Sequence, residues 1–178
     1  EMRNTLVHVR NVDAPDYKRM ADHNIYVSSG VTWHHFSDQV QKKLPNVVPA
    51  GMADKAYPMK SFFDYDIPVS INSDYPALSG SADDPFGIME IAVTGSYHLE
   101  KGKPYWTKEL VTREQALTAM TINCAKQMFI EDERGSIKAG KYADFLLVDT
   151  AVLTCPAKEI HSAKSAATYF EGKTVFSK

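Results

Sequence analysis

The chain has 178 residues, a formal net charge of −2 and 44% hydrophobic residues. This composition predicts a globular chain, and the absence of a Lys/Arg block argues against nucleic acid or a membrane surface as its partner. The longest apolar runs fall short of the roughly 20 residues that a membrane-spanning helix needs. The two cysteines, Cys124 and Cys155, form no metal-binding or disulfide pattern, so we predict a reducing, cytoplasmic setting.

Strands and helices are predicted to alternate in the first half of the chain. Three strands are predicted where β-branched and apolar residues cluster, at 5–9, 25–31 and 68–72. A helix beginning after Asp13 and closing at Asn24 should separate the first two strands, and a short helix around 54–64 should precede the third. This order, with continuously apolar strands, predicts a parallel sheet covered on both faces.

Two more helices are predicted in the second half. Asp84 should cap a helix that starts at Pro85, and Thr112 with Gln115 should form a capping box at the start of a long helix. The apolar face of this long helix is predicted at Leu117, Met120, Cys124 and Met128. We therefore interpret Cys124 as a core residue and not as a nucleophile.

A small β tail is predicted after Gly135. Its strands should lie at 142–149 and 166–176, the second interrupted by a hairpin turn at Glu171–Gly172. The chain therefore divides into a parallel α/β region and a β tail.

The end of the third strand carries the first candidate for chemistry. Asp74 follows that strand, and His8 lies at the same end of the first strand. Ligands gather at the carboxyl ends of parallel strands, where a His and an Asp can bind a divalent metal and the Asp can accept a proton from bound water. Two other interpretations stay open: Asp74 as a cap of the turn before Pro76, and His8 as a hydrogen-bonded core residue.

The segment after the second strand and the residue after Asp74 supply candidates for a substrate pocket. We predict that Trp33, His34 and Tyr75 bind a small-molecule substrate. For His34 and its neighbour His35, a surface loop remains the alternative. His98 and His161 stand in polar surroundings and are predicted to be solvated.

Several segments together resemble the metal-dependent amidohydrolases, specifically amidohydrolase family 3. The resemblance is carried by an ordered set of motifs, good from about residue 66 to 178: "IPVSINSDYP", "DDPFGIMEIAVTGSY", "LVTREQALTAMTINCAKQMF", "GSIKAGKYADFLLVD" and "EGKTVF". Earlier, "LVHV" followed by "DYKRMADHNIYVS" resembles the sixth strand of the family barrel and its helix.

The resemblance implies a fold of the α/β class, in which this chain is the C-terminal part of a (β/α)₈ barrel. Residues 1–134 would be a partial barrel domain with parallel strands six to eight, and residues 135–178 a β tail of a composite β-sandwich. It also implies one or two divalent metals, often zinc, and hydrolysis of amide or related C–N bonds. Asp74 falls on the strand-eight aspartate that positions and deprotonates water, and His8 on the strand-six metal ligand. Val7 stands where the family usually has an acidic residue.

The family's early His-x-His pair and its strand-five histidine have no counterpart in this chain. The resemblance therefore predicts a fragment of a longer enzyme, inactive in isolation, which needs self-association or a missing N-terminal segment. The alternative function is a catalytically inert half-barrel that acts only in assembly.

Overall fold

Three parallel strands form the first sheet of the protein, whose computed structural model describes residues 2–34, 52, 55–75, 84–98 and 107–178. The strands are β1 (Thr5–Val7), β2 (Tyr26–Gly30) and β3 (Val69–Asn72). They pair in that order, with Leu6 opposite Val27 and Ser28 opposite Ser70. The predicted parallel sheet is confirmed, although β1 ends at Val7 and leaves His8 just beyond the strand.

Two helices pack beside this sheet. Helix α1 (Ala14–Asp22) starts after Asp13, whose side chain makes no capping hydrogen bond, and the chain turns at Asn24 with φ 51°. Helix α2 (Met59–Asp64) is shorter than predicted. Tyr17 and Met20 of α1 and Phe62 of α2 belong to one core. Their burial holds each crossover against the sheet.

Helix α3 (Pro85–Thr94) follows the third strand. Its predicted start is confirmed, because Asp84 Oδ1 accepts a hydrogen bond from Gly87 N at 2.9 Å. Every residue from Gly87 to Ala92 is buried, including Glu90, which is only 2% exposed. The middle of the helix is therefore enclosed on all sides.

The predicted long helix is in fact two short ones. The capping box at Thr112 and Gln115 is confirmed, but α4 (Arg113–Met120) and α5 (Ile122–Gln127) are separated by Thr121, at φ −125° and ψ −90°. The buried positions are Ala116, Ala119, Asn123 and Ala125. The predicted face is right only in part: Met120 packs against the core, whereas Leu117 and Met128 are 39% and 66% exposed. Small alanines let both helices approach β3, where Asn123 Nδ2 donates to Val69 O at 2.9 Å.

A second, antiparallel sheet forms the C-terminal part. It contains β4 (Phe145–Val148), β5 (Ser165–Phe170) and β6 (Lys173–Ser177), in that order. Glu171 and Gly172 both have positive φ, 51° and 75°, as a two-residue hairpin turn requires. The predicted hairpin is confirmed.

A short 3₁₀ helix, Ala157–Ser162, joins this part to the first. Its Ile160 is fully buried and belongs to the same core as Val27, Val69 and Ile91. At the opposite side Leu6 and Val7 of the edge strand β1 are 47% and 60% exposed. In the described part of the chain, no helix combines the length and the apolar character needed to cross a membrane.

Candidate active site at the carboxyl ends of the parallel strands

His8 leaves the first strand in an unusual backbone conformation. Its N–H still donates to Ser28 O at 2.8 Å, but its φ is 68° and that of Val9 is 35°. Positive φ is uncommon for residues with a side chain and is found where tertiary contacts determine the conformation. The strand therefore ends in a sharp turn that places the imidazole at its carboxyl end.

Asp74 reaches the same edge from β3. Its φ is 54°, and its N–H donates to Asn72 Oδ1 at 3.1 Å, which closes a local turn. Asn72 Nδ2 donates to Ser28 Oγ at 2.8 Å. The Asn72 amide thus connects the backbone of Asp74 to the neighbouring strand β2.

The His8 and Asp74 side chains meet at this edge. His8 Nε2 lies 3.6 Å from Asp74 Oδ1, which is too long for a direct hydrogen bond. The other carboxylate oxygen, Oδ2, accepts a hydrogen bond from Trp33 Nε1 at 2.9 Å. Asp74 therefore has one oxygen held by the indole and the other turned toward the imidazole.

Gly30 makes this close arrangement possible. A Cβ at Gly30 would lie 2.9 Å from both His8 Nδ1 and Trp33 Cδ1, closer than side chains normally approach. The 3₁₀ helix Val31–His34 follows directly, and its Thr32 Oγ1 donates to Ser73 O at 3.3 Å. The end of β2 is thereby tied to the end of β3.

The pair fits part of a divalent-metal centre. Imidazole nitrogen and carboxylate oxygen are normal zinc ligands, and two ligands about 2 Å from one ion are separated by roughly 3.3–3.6 Å. The 3.6 Å between His8 Nε2 and Asp74 Oδ1 is in this range. Within the described ranges, no third His, Cys, Asp or Glu joins the pair in a group with ligand atoms inside 4.8 Å. Two ligands are fewer than the three or four that zinc sites use.

The sequence did not indicate that two further residues, Tyr57 and Arg10, lie near the pair. Tyr57 is buried at 7% exposure, and its N–H donates to Arg10 O at 2.7 Å. Burial raises the pKa of the Tyr57 phenol, the positive charge of Arg10 opposes the shift, and the negative charge of Asp74 adds to it. Arg10 Nε and Nη2 are buried and have no hydrogen-bond partner in the described part of the chain. Only tertiary structure brings Tyr57 beside Arg10 and close enough to Asp74 for its charge to act on the phenol.

The predicted substrate-binding residues are found in different settings. Trp33 is at the site, where its indole nitrogen contacts Asp74. Tyr75 follows Asp74, is 74% exposed, and its N–H donates to Ser73 Oγ at 3.3 Å. His34 ends the 3₁₀ helix, its side chain lies outside what the structure describes, and so does the whole of His35.

The interpretation of Cys124 as a core residue agrees with its surroundings. Its Sγ donates to Ala119 O at 3.2 Å, and burial raises the pKa of the thiol. A raised pKa keeps the thiol protonated, which is the unreactive form.

The prediction that His98 and His161 are solvated is right only in part, because His98 is exposed and His161 is half-buried. The two rings stack with centroids 4.1 Å apart, and His161 Nδ1 lies 2.7 Å from Glu90 Oε2. Burial, together with the neighbouring His161 ring, lowers the pKa of His98. Local polarity suggested two separate solvated side chains, but packing of the C-terminal 3₁₀ helix on α3 brings the two rings together beside Glu90.

A family model adds the relationship to known proteins. The model, described as the amidohydrolase family and representing its family 3 branch, matches residues 1–176. This chain belongs to the amidohydrolase family. The resemblance seen in the motifs is therefore confirmed, and the match extends to the N-terminal segment around His8.

Curated amidohydrolase relatives are much longer than this chain. N-substituted formamide deformylase of Arthrobacter pascens is 35% identical over 118 residues, which cover 66% of this chain and 21% of the relative. Imidazolonepropionase of Thermoplasma volcanium is 35% identical over 97 residues, 54% of this chain and 20% of the relative. The chain spans about a fifth of the length of both relatives.

Solved structures share the fold. An amidohydrolase from Thermotoga maritima superposes with a TM-score of 0.65 at 17% identity, over 98% of this chain and 37% of the other. An adenosine deaminase from Xanthomonas campestris, solved with bound zinc, gives 0.67 at 18% identity, over 97% and 37%. This family member therefore has the α/β fold of barrel-type amidohydrolases, and one such neighbour holds zinc.

Proposed function

We propose that this amidohydrolase chain supplies part of the catalytic centre of a metal-dependent hydrolase that acts on amide or related C–N bonds. The observation that carries the proposal is the 3.6 Å approach of His8 Nε2 to Asp74 Oδ1 at the carboxyl ends of β1 and β3. Relatives named a formamide deformylase and an adenosine deaminase support C–N chemistry. The substrate is proposed to be a small molecule, and the cytoplasmic setting stays a prediction.

Asp74 is proposed as the general base. Trp33 Nε1 occupies Oδ2, so Oδ1 is the oxygen positioned to accept a proton from the attacking water. The Asn72 turn fixes the backbone of Asp74, and the hydrogen bond from Trp33 holds its carboxylate. His8, with Nε2 directed at the same space, is the proposed metal ligand together with Asp74. A divalent metal, zinc by preference, would polarise the substrate carbonyl and lower the pKa of its bound water when present.

The remaining ligands are proposed to come from outside the described residues. In this proposal residues 1–134 contribute strands six to eight of a barrel, and residues 135–178 a β tail that completes a composite sandwich. The chain spans about a fifth of its curated relatives, and the exposed Leu6 and Val7 on β1 leave a strand edge and an apolar surface to be covered. A preceding segment or a second copy would cover them.

The substrate is proposed to enter beside Trp33 and Tyr75, with His34 at the rim. Tyr57 and Arg10 extend this site on the side of Asp74. A guanidinium with two buried nitrogens that lack partners among the described residues can donate hydrogen bonds to a carbonyl or carboxylate of the substrate.

The alternative is a catalytically inert half-barrel that acts only in assembly. The small number of metal ligands favours this alternative, because the two side chains of His8 and Asp74 alone would bind a divalent metal weakly. The exposed edge strand β1 would then be the assembly surface.

Measurements of metal binding and of turnover on the same set of variants distinguish the catalytic function from the assembly function. The chain is titrated with Zn²⁺, alone and mixed with the N-terminal part of a homologous family member, and hydrolysis of simple N-formyl and N-acyl amides is followed. We expect turnover only in the mixture. Asp74→Asn should abolish it while circular dichroism stays unchanged, and Asp22→Asn on the exposed end of α1 should not affect it. An active Asp74→Asn variant would refute the role of Asp74. If no mixture shows turnover, with or without zinc, only the assembly function remains.

A further inference from the structure

We propose that Glu90, His98 and His161 form a divalent-metal site of the imidazole–carboxylate type, separate from the His8–Asp74 pair and structural in role.

The three side chains converge from three segments. Glu90 lies on α3, His98 lies four residues after the end of that helix, and His161 lies on the 3₁₀ helix Ala157–Ser162. Each offers a ligand atom, and these atoms lie within 4.8 Å of one another. Two histidines and one carboxylate are a common protein ligand set for zinc, with water in a fourth position.

Glu90 is an unexpected residue for its position. It is 2% exposed in the middle of α3, where Met89 and Ile91 on either side are equally buried. A buried carboxylate is costly unless a partner compensates its charge. Glu90 Oε2 accepts from His161 N at 3.1 Å and lies 2.7 Å from His161 Nδ1. The carboxylate is therefore already hydrogen-bonded to an imidazole nitrogen, and a bound cation would replace the proton that the two groups share.

His98 completes the set. Its ring is parallel to that of His161, with an interplanar angle of 6° and centroids 4.1 Å apart. Two protonated imidazoles in this arrangement would repel each other, whereas two neutral rings can each present a nitrogen to one ion. The side chain of His98 is 19% exposed, so an ion can reach the site from solvent.

Asp84 places a second carboxylate beside His98. Its Oδ1 caps α3 at Gly87 N, and its Oδ2 lies 4.0 Å from His98 Nε2. A Cβ at position 87 would lie 2.3 Å from Asp84 Oδ2 and 3.4 Å from His98 Cε1, so any larger residue there would displace the Asp84 carboxylate. The distance from Asp84 Oδ2 to His98 Nε2 is too long for a hydrogen bond, so Asp84 adds negative charge beside the imidazole without holding its orientation.

The place of the site in the fold indicates its role. It lies on the helix face of α3 and joins that helix to the C-terminal 3₁₀ helix, whose Ile160 is part of the shared core. His8 and Asp74 instead lie at the carboxyl ends of the strands. Metal bound here would cross-link the two parts of the chain and stabilise the folded state by mass action.

The test is a titration of the EDTA-treated chain with Co²⁺, followed by its visible ligand-field absorption, and with Zn²⁺ by calorimetry. We expect one equivalent to bind in the wild type and in His8→Ala and Asp74→Asn. We expect at least tenfold weaker binding in His98→Asn and Glu90→Gln, and no change in the control His23→Ala, an exposed histidine after α1. Zn²⁺ should raise the melting temperature of the wild type and leave that of His98→Asn unchanged.

The variants also distinguish this metal site from the proposed catalytic site. His98→Asn removes a ligand without touching the bonds between Glu90 and His161, so it tests the site even if Glu90→Gln fails to fold. Wild-type affinity in His98→Asn, or no stoichiometric Co²⁺ binding by the wild-type chain, would overturn the proposal. Binding that is lost only in His8→Ala or Asp74→Asn would overturn it too, and would assign the metal to the strand-end pair.

Discussion

The indole Nε1 of Trp33 donates a hydrogen bond to Asp74 Oδ2 over 2.9 Å, so the carboxylate after β3 is oriented by the segment after β2. Trp33 was a candidate for substrate contact, and this bond gives it a second task as a positioning residue. The bond leaves a single carboxylate oxygen facing His8. If the carboxylate rotated, Asp74 Oδ1 would no longer face the His8 imidazole.

Trp33→Phe tests the positioning of Asp74. Phenylalanine keeps most of the ring packing but cannot donate to Oδ2, so we expect metal affinity or kcat at the His8–Asp74 site to fall by about 10–100-fold with little change in KM. The measurement is Zn²⁺ affinity and steady-state kinetics in the complemented mixture, with Tyr142→Phe, at an exposed tyrosine of the C-terminal part, as control. Equal kcat with a raised KM would show that Trp33 contacts substrate only.

Gly30→Ala tests the close packing between His8 and Trp33. The added methyl group would lie 2.9 Å from His8 Nδ1 and from Trp33 Cδ1, so we expect a loss of about 1–3 kcal/mol in the free energy of unfolding. Urea denaturation measures this loss. In a His8→Ala background the loss should be smaller by more than about 0.5 kcal/mol, because one of the two contacts is gone. Additive losses would contradict the geometry.

Arg10→Met tests the buried guanidinium. Arg10 Nε and Nη2 are buried without partners among the described residues, and each unsatisfied group costs about 1–3 kcal/mol. We therefore expect methionine to leave the free energy of unfolding unchanged or raise it by about 1 kcal/mol, measured in urea. Arg19→Met on the exposed face of α1 is the control. A clear loss of stability in Arg10→Met alone would show that the guanidinium has a structural partner.

Acid sensitivity should depend on the contact between Arg3 and Glu131. Arg3 Nη1 donates to Glu131 Oε2 at 2.8 Å, and this bond is the main reason that the pKa of Glu131 falls from 4.5 to about 2. A carboxyl with a lowered folded-state pKa contributes stability above its unfolded pKa and loses it as the pH falls through the folded value. This contribution should therefore disappear between about pH 4.5 and 2.

Glu131→Gln is the matching variant. We expect a shallower fall of stability across that pH window, measured by urea unfolding at several pH values, with Glu133→Gln, an exposed neighbour, as control. A Glu131→Gln profile that parallels the wild type would show that the ion pair does not contribute to folding.

Local signals were sufficient for the parts of the fold that one short segment determines. The cap at Asp84, the box at Thr112 and Gln115, and the turn at Glu171–Gly172 depend on bonds or backbone angles within a few residues. The same holds for the parallel strand order, because alternating strands and helices leave few topologies. The motifs also identified the family.

The tertiary structure alone decided which distant side chains meet. Nothing around Arg10 indicated that Tyr57 would pack beside it, and the polar surroundings of His161 suggested solvent although it contacts Glu90. Packing on β3 likewise buried Ala116, Ala119 and Ala125 and left the larger Leu117 and Met128 exposed. A chain can encode a cap or a turn in neighbouring residues, but burial and the pairing of charges depend on which elements pack together, and that is a property of the whole fold.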